Sequence, residues 1–263
     1  MSNERVVYTI EEGIAWVKLN RPEKHNAIDM AMFIGIDKTI RELAKNRSVR
    51  VVIVSGEGPS FCSGLDVKSV LTNKSNALKL LWKWLPGNPN LAQRVAIGWR
   101  RLKVPVIMAL HGNCWGGGMQ IALGGDFRIA SPDCSLAIME AKWGLIPDMG
   151  GTPGLMENVS ADHAMKLAMT AVPIQAAEAK QIGLITELSE DPLKAAAGLA
   201  EQLKDRSPDT NRIVKSLYQK VWSRGDRRII AGETLNQIKI LMGKNQPIAT
   251  KRSLGHKDIQ YRL

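Results

Sequence analysis

With 263 residues, 44% of them hydrophobic, the chain can bury a substantial core as one large domain, or one domain plus a small appendage. A formal net charge of +11 and a pI of 9.7 admit an anionic partner. The basic residues are scattered, though, with no run longer than Arg100-Arg101 or Arg227-Arg228, which reads as solvated surface as much as ligand steering. Three widely spaced cysteines, Cys62, Cys114 and Cys134, exclude a disulfide framework and a CxxC metal site, and no apolar run approaches the ~20 residues of a membrane helix.

In chain order, Val6–Ile10 and Ile14–Leu19 flank the turn Glu11-Glu12-Gly13 and predict a hairpin, which leaves no room for a signal peptide. Asn20–Asp29 lacks periodicity and reads as a loop ending in an N-cap aspartate. Apolar residues at Met30, Phe33, Ile36, Ile40 and Leu43 follow a helical face, and Val51–Ser55 is a continuous apolar run of the kind found in parallel sheets. Residues 76–102 carry helical signals broken by Pro86–Asn90, giving two helices or a helix and a lid.

Val104–Leu110 reads as a buried strand, after which HGNCWGGGMQIALGG (His111–Gly125) carries three consecutive glycines opening a helix. Glycine lets a ligand approach the main chain, and a helix start points unsatisfied N–H groups outward, so this turn suits an oxygen bearing negative charge, whether phosphate or developing oxyanion. Phe127–Ala130 and Leu136–Met139 are expected to be short strands, and Thr152-Pro153 the N-cap and first-turn proline of a helix. Helices are expected over 160–170 and 175–182, with Gly183–Leu188 extended. From Pro192 to about Lys244 the chain reads helical, with an ill-defined tail to Leu263. Strands alternating with helices, followed by helices alone, give an α/β class with a helical C-terminal region.

Four blocks, NRPEKHNAID, SGEGPSFCSGLDV, HGNCWGGGMQIALGGDFRIA and MEAKWGLIPDMGGTPGL, resemble in order and spacing those of the crotonase superfamily of enoyl-CoA hydratase/isomerase-like proteins, over almost the full length. The resemblance implies a spiral of ββα units over 1–190, a helical trimerisation region over 191–263, and a homotrimer or homohexamer. It also implies an acyl-CoA thioester as substrate, so that CoA enters with the substrate and no separate cofactor or metal is called for. By motif position the oxyanion donors would be the N–H groups of Leu65 and Gly117, each worth ~2.7–4 kcal/mol in comparable oxyanion holes. The same analogy assigns CoA contacts to Lys24, His25, Ala27, Ser63, Asp66 and Val67.

The acid–base residues depart from the family pattern. Its typical hydratase carries two glutamates; here the first position is Gln120, which cannot ionise, and the second is Glu140. Asp148, eight residues beyond Glu140, resembles the second member of the Glu…Asp pair of dienoyl-CoA isomerases, although that subgroup has an aspartate where Gln120 stands. Trp82, Trp84 and Trp99 lie in the region that in the family borders the acyl pocket, packing being the simpler role for them. Cys62 lacks a histidine neighbour and reads as unreactive, Cys114 as core, and His111 as a strand-end packing or capping residue.

An enoyl-CoA hydratase/isomerase-type lyase or isomerase in a cytoplasmic, reducing compartment is therefore expected. Dienoyl-CoA isomerisation by Glu140 and Asp148 is the alternative within that class. A non-catalytic acyl-CoA-binding or RNA-binding family member is the alternative outside it, but no aromatic RNA-binding motif is present, which makes nucleic acid a poor fit.

Overall fold

The computed structural model describes residues 4–259 apart from 72–73, 86, 223–225, 244 and 257. Of the expected features, Pro86, Lys244 and the end of the tail at Leu263 lie outside the described residues.

Strands β1 (Val6–Glu11) and β2 (Ile14–Leu19) form the antiparallel hairpin. Parallel to β2 run β3 (Val51–Gly56), β4 (Val106–Leu110), β6 (Phe127–Ala130) and β9 (Glu187–Leu188), in the order β1-β2-β3-β4-β6-β9. A second sheet joins β5 (Asn113–Trp115), β7 (Ser135–Ala137) and β8 (Ile174–Gln175) in the order β5-β7-β8. The continuous apolar runs are explained by burial on both faces. Val52 and Val54 of β3, with Val106, Met108 and Leu110 of β4, face the larger core. Val51, Ile53, Ile107 and Ala109 face a second cluster closed by Ala196 and Ala200.

Helix α1 (Met30–Lys45) starts where Asp29 accepts from the Met32 N–H at 2.8 Å, the expected cap, and Asp29 also pairs with Arg5 at 2.9 Å. After β3 come α2 (Val67–Leu71), α3 (Lys74–Leu81) and α4 (Leu91–Arg100), so the proline-rich break separates two helices. A reciprocal capping box between Asn90 and Gln93 starts α4. Helix α5 (Gly117–Ala122) follows β5 directly. Beyond β7 lie α6 (Thr152–Asn158), α7 (Ala161–Thr170) and α8 (Ala176–Gln181), then α9 (Pro192–Lys204), α10 (Pro208–Trp222), α11 (Asp226–Leu241) and α12 (Asn245–Ser253). No described helix is long and apolar enough to cross a membrane.

The structure corrects four expectations. The N-cap of α6 is Gly151, and Thr152 is already helical, because Gly151 rather than Thr152 takes up the turn against Gln120. The strand expected at Leu136–Met139 is shifted to Ser135–Ala137 by its pairing with Asn113–Trp115. Gly183–Leu188 is extended only at Glu187–Leu188, where it meets β6. The tail beyond Lys244 contains α12, which packs on the turn following Glu140.

Two buried cations tie the C-terminal half to the sheet. Arg128 of β6 donates to the carbonyls of Leu184 (2.9 Å) and Gly125 (2.8 Å) and to Asn158 Oδ1 (2.8 Å). Burial lowers its guanidinium to about 10. Lys215 of α10 pairs with Asp126 at 2.7 Å and donates to the Val104 carbonyl at 2.9 Å.

Candidate active site

The two glycine-bearing loops are brought into main-chain contact. Cys62 donates to the Asn113 carbonyl at 2.9 Å and Trp115 to the Cys62 carbonyl at 3.0 Å. Gly64 has φ +94°, and a Cβ there would lie 2.8 Å from the Trp115 carbonyl oxygen and 3.5 Å from the Gly117 nitrogen. A Cβ on Gly118 would lie 2.4 Å from the Cys62 carbonyl oxygen, so glycine at these positions is dictated by the close approach. Gly64, the residue before Leu65, thus lies beside Gly117 across adjoining loops. Gly117 is the first residue of α5, where an N–H has no partner inside its own helix.

Glu140 opens a 3-10 turn (Glu140–Trp143) after β7 and lies over the glycine triplet: a Cβ on Gly116 would stand 3.8 Å from Glu140 Oε1. Gln120 of α5, itself buried, donates from Nε2 to that oxygen at 2.6 Å. Glu140 Oε2 is buried without a hydrogen-bond partner among the described residues. Burial raises the Glu140 carboxyl above its ordinary range, against the opposing effect of the Gln120 amide. The Gln120 oxygen accepts from the N–H groups of Met149 (2.8 Å) and Gly151 (3.4 Å), so one amide joins Glu140 to the loop that carries Asp148. Burial, then the like charges of Glu140 and Glu233, push Asp148 up to about 7. The structure therefore brings Gln120, Glu140 and Asp148 into one electrostatic unit.

The residues expected to contact CoA lie on two segments, one before α1 and one after β3, joined where Ser63 donates to the His25 carbonyl. Lys24 ends a 3-10 turn (Pro22–Lys24), and its carbonyl accepts from the Ala27 N–H (2.9 Å) and the Ser63 hydroxyl (3.3 Å). His25 is left-handed at φ 49°; its Nδ1 lies 2.9 Å from Ser60 Oγ and its carbonyl accepts from Ser63. Asp66 pairs with Arg21 at 2.9 Å and accepts from the Ser69 N–H at 3.2 Å; burial acts upward on its carboxyl, but these donors outweigh it and hold it below the usual range. Its carboxylate is committed to that pair. Its neighbour Val67 begins α2.

Other expectations resolve by burial. Trp99 is fully buried in the core, whereas Trp82 and Trp84 are exposed. Cys62 and Cys114 are core residues, and burial pushes the Cys62 thiol up to about 12, which suits an unreactive group. His111 caps rather than packs, its Nε2 lying 2.9 Å from the Gly58 carbonyl.

Sequence reasoning missed Glu233, Gln237 and Gln93, all buried against the Asp148 loop or one another. No motif marks them; only helical periodicity around residue 230 could have placed Glu233 and Gln237 on one face, four residues apart. Beside them an apolar cavity of about 510 Å³ lies between α3 and α11, lined among others by Leu78, Trp82, Ala231, Leu235 and Ile238.

Residues 9–245 match the family described as enoyl-CoA hydratase/isomerase, and the chain belongs to that family. Among its relatives, a putative enoyl-CoA hydratase/isomerase of Bacillus subtilis, YngF, is 31% identical over 221 residues, 82% of each chain. A peroxisomal Delta(3,5)-Delta(2,4)-dienoyl-CoA isomerase of Arabidopsis thaliana is 31% identical over 198 residues, covering 72% of this chain and 71% of its own. Among solved structures, an enoyl-CoA hydratase/isomerase from Mycobacterium paratuberculosis superposes with a TM-score of 0.85 at 19% identity, over 94% of this chain and 98% of that one. The fold is the mixed α/β crotonase fold with C-terminal helices.

Proposed function

We propose that the protein moves a carbon–carbon double bond in an acyl-CoA thioester, with Glu140 and Asp148 as the proton-transferring pair. The observation that carries this reading is the commitment of Gln120. Its oxygen accepts from Met149 and Gly151 and one of its N–H groups donates to Glu140, so it holds the site together, and it has no proton to exchange with substrate. Proton transfer then falls to two carboxyl groups with different surroundings. Burial raises both carboxyls, and at Glu140 the Gln120 N–H opposes that rise. Asp148, with the charges of Glu140 and Glu233 added to burial, is pushed up to about 7 and is protonated in about half of the molecules at neutral pH.

In this mechanism the thioester oxygen accepts from the N–H groups of Leu65 and Gly117. Glu140 removes a proton from the acyl carbon, and the electron pair moves onto the thioester oxygen as an enolate. Asp148 then protonates a carbon further along the conjugated system, so the double bond shifts with no change in mass. The CoA moiety runs along the two adjoining segments that carry Lys24, His25 and Ala27 and Ser63, Asp66 and Val67. The cavity between α3 and α11 takes the acyl chain.

Hydration is the second reading, favoured by relatives such as the (E)-benzylidenesuccinyl-CoA hydratase of Thauera aromatica, 30% identical over 207 residues. In it Glu140 would activate water and Asp148 would deliver the proton. Exposed apolar side chains on α10, among them Ile213, Val214 and Leu217, support assembly into a homotrimer or hexamer. The free cysteines suit a reducing, cytoplasmic setting.

The test sets a 3,5-dienoyl-CoA against a trans-2-enoyl-CoA, read by absorbance and mass. A new conjugated dienoyl band without mass change, abolished by Glu140→Gln, is the expected result. Gain of one water from the enoyl substrate alone would establish the hydratase instead. Turnover of neither, with acyl-CoA still bound, would defeat both readings.

A further inference from the structure

Glu233 belongs to α11, yet it reaches the centre of the site. It is 6% exposed, and its Oε2 accepts from Gln93 Nε2 at 3.0 Å and from the Gly150 N–H at 3.1 Å. Its Oε1 is buried without a hydrogen-bond partner among the described residues. Three successive main-chain N–H groups are thus held alternately from two sides. Met149 and Gly151 donate to Gln120 of α5, while Gly150 between them donates to Glu233. The residue before this clamp is Asp148, and on its other side the Ile146 N–H donates to Gln237, also of α11, at 3.2 Å. The loop carrying Asp148 is therefore pinned at both ends to α11.

The charges point the same way. The charged and titratable groups acting on Glu233 among the described residues are Glu140 and Asp148 from the loop and Lys83 from the segment before α4, with Gln93 and Thr152 as neutral donors. Burial raises the Glu233 carboxyl, and its donors, Thr152, Gln93 and the Gly150 N–H, oppose that rise. When Glu233 carries its charge, a second negative charge in the site is costly, and that charge is one of the causes that push Asp148 up.

We propose that Glu233 is a positioning residue of this site. It holds the Asp148 loop from the side opposite Gln120 and acts as the fixed negative neighbour that keeps the transferable proton on Asp148. The inference rests on the acyl-CoA reading above for its effect on turnover, and on the geometry alone for its effect on Asp148.

Two variants separate the clamp from the charge. Glu233→Gln keeps an oxygen for the Gly150 N–H and removes the charge; Glu233→Asp keeps the charge and shortens the reach. The full chain is labelled with 13C at the aspartate carboxyl carbons, and the Asp148 signal is identified by its loss in Asp148→Asn. In Glu233→Gln the Asp148 midpoint moves to lower pH, and the alkaline limb of kcat/KM moves with it while KM is little changed. In Glu233→Asp the midpoint stays above that of Glu233→Gln, but the Gly150 amide exchanges faster with solvent. An unmoved Asp148 midpoint in Glu233→Gln, or unaltered Gly150 exchange in Glu233→Asp, overturns the proposal. If Glu233→Gln does not fold, the Gly150 exchange of Glu233→Asp decides. A protein that turns over no acyl-CoA would defeat the reaction assigned above, while the Asp148 titration and the Gly150 exchange would still decide the role of Glu233.

Discussion

Asp148 offers a direct physical check, because its carboxyl is perturbed enough to appear in the stability of the whole chain. It titrates near 3.8 when unfolded and about 7 in the fold, where burial and the charges of Glu140 and Glu233 favour its protonated form. A folded value above the unfolded one contributes stability that is complete below about pH 4 and is lost as pH rises towards 7. At 1.36 kcal/mol per pH unit the full loss is about 4 kcal/mol, roughly two thirds of it between pH 5 and pH 8. Asp148 is only half-buried, and solvent screening reduces this interval to about 1.5 kcal/mol. Asp148→Asn is neutral at every pH and escapes that loss. Urea unfolding of both proteins at pH 5, 6.5 and 8 should therefore show the variant gaining about 1.5 kcal/mol on the native chain across the range. A residual slope of the same sign remains in the variant, since burial also raises Glu140 and Glu233. Parallel stability curves would refute the buried, like-charged environment on which the acid role of Asp148 depends.

Three further outcomes follow from other contacts. Gln120→Leu removes the bond to Glu140 and strands the Met149 and Gly151 N–H groups, so it should cost about 3–5 kcal/mol in urea unfolding and move Glu140 to a higher titration midpoint. Gly64→Ala puts a Cβ 2.8 Å from the Trp115 carbonyl at φ +94°; acyl-CoA turnover should fall by about 10²–10³, the effect of losing one oxyanion donor, while β1–β4 remain folded by hydrogen exchange. Arg128→Met leaves the Leu184 and Gly125 carbonyls and Asn158 without their donor, and a loss of about 3–5 kcal/mol is expected by chemical denaturation.

What the sequence revealed of this molecule was mostly local. Asp29, the apolar run Val51–Ser55 and the Gly116–Gly118 turn announce a cap, a central strand and a close backbone approach through residue chemistry that acts within a few positions. Strand β5 escaped because three residues between Gly112 and Gly116 carry no period; its pairing with β7 creates it. Trp99 could be read as packing but not told apart from Trp82 and Trp84, because helical periodicity cannot tell which apolar face meets the core. Gln120 was legible as a departure from the family pattern, but its three bonds were not, since two of its partners are main-chain N–H groups 29 and 31 residues away. Glu233 and Gln93 lie 140 residues apart, and only the docking of α11 makes them neighbours.

That separation has a consequence during synthesis. Gln93 leaves the ribosome with its side chain amide destined for a residue not yet translated, and the loop bearing Asp148 is likewise made before the helix that fixes it. The nascent chain can complete both sheets and the glycine turns and still hold the Asp148 loop from the Gln120 side alone. The full set of contacts around Asp148 should thus be among the last the polypeptide acquires, arriving when α11 docks rather than when the sheet closes.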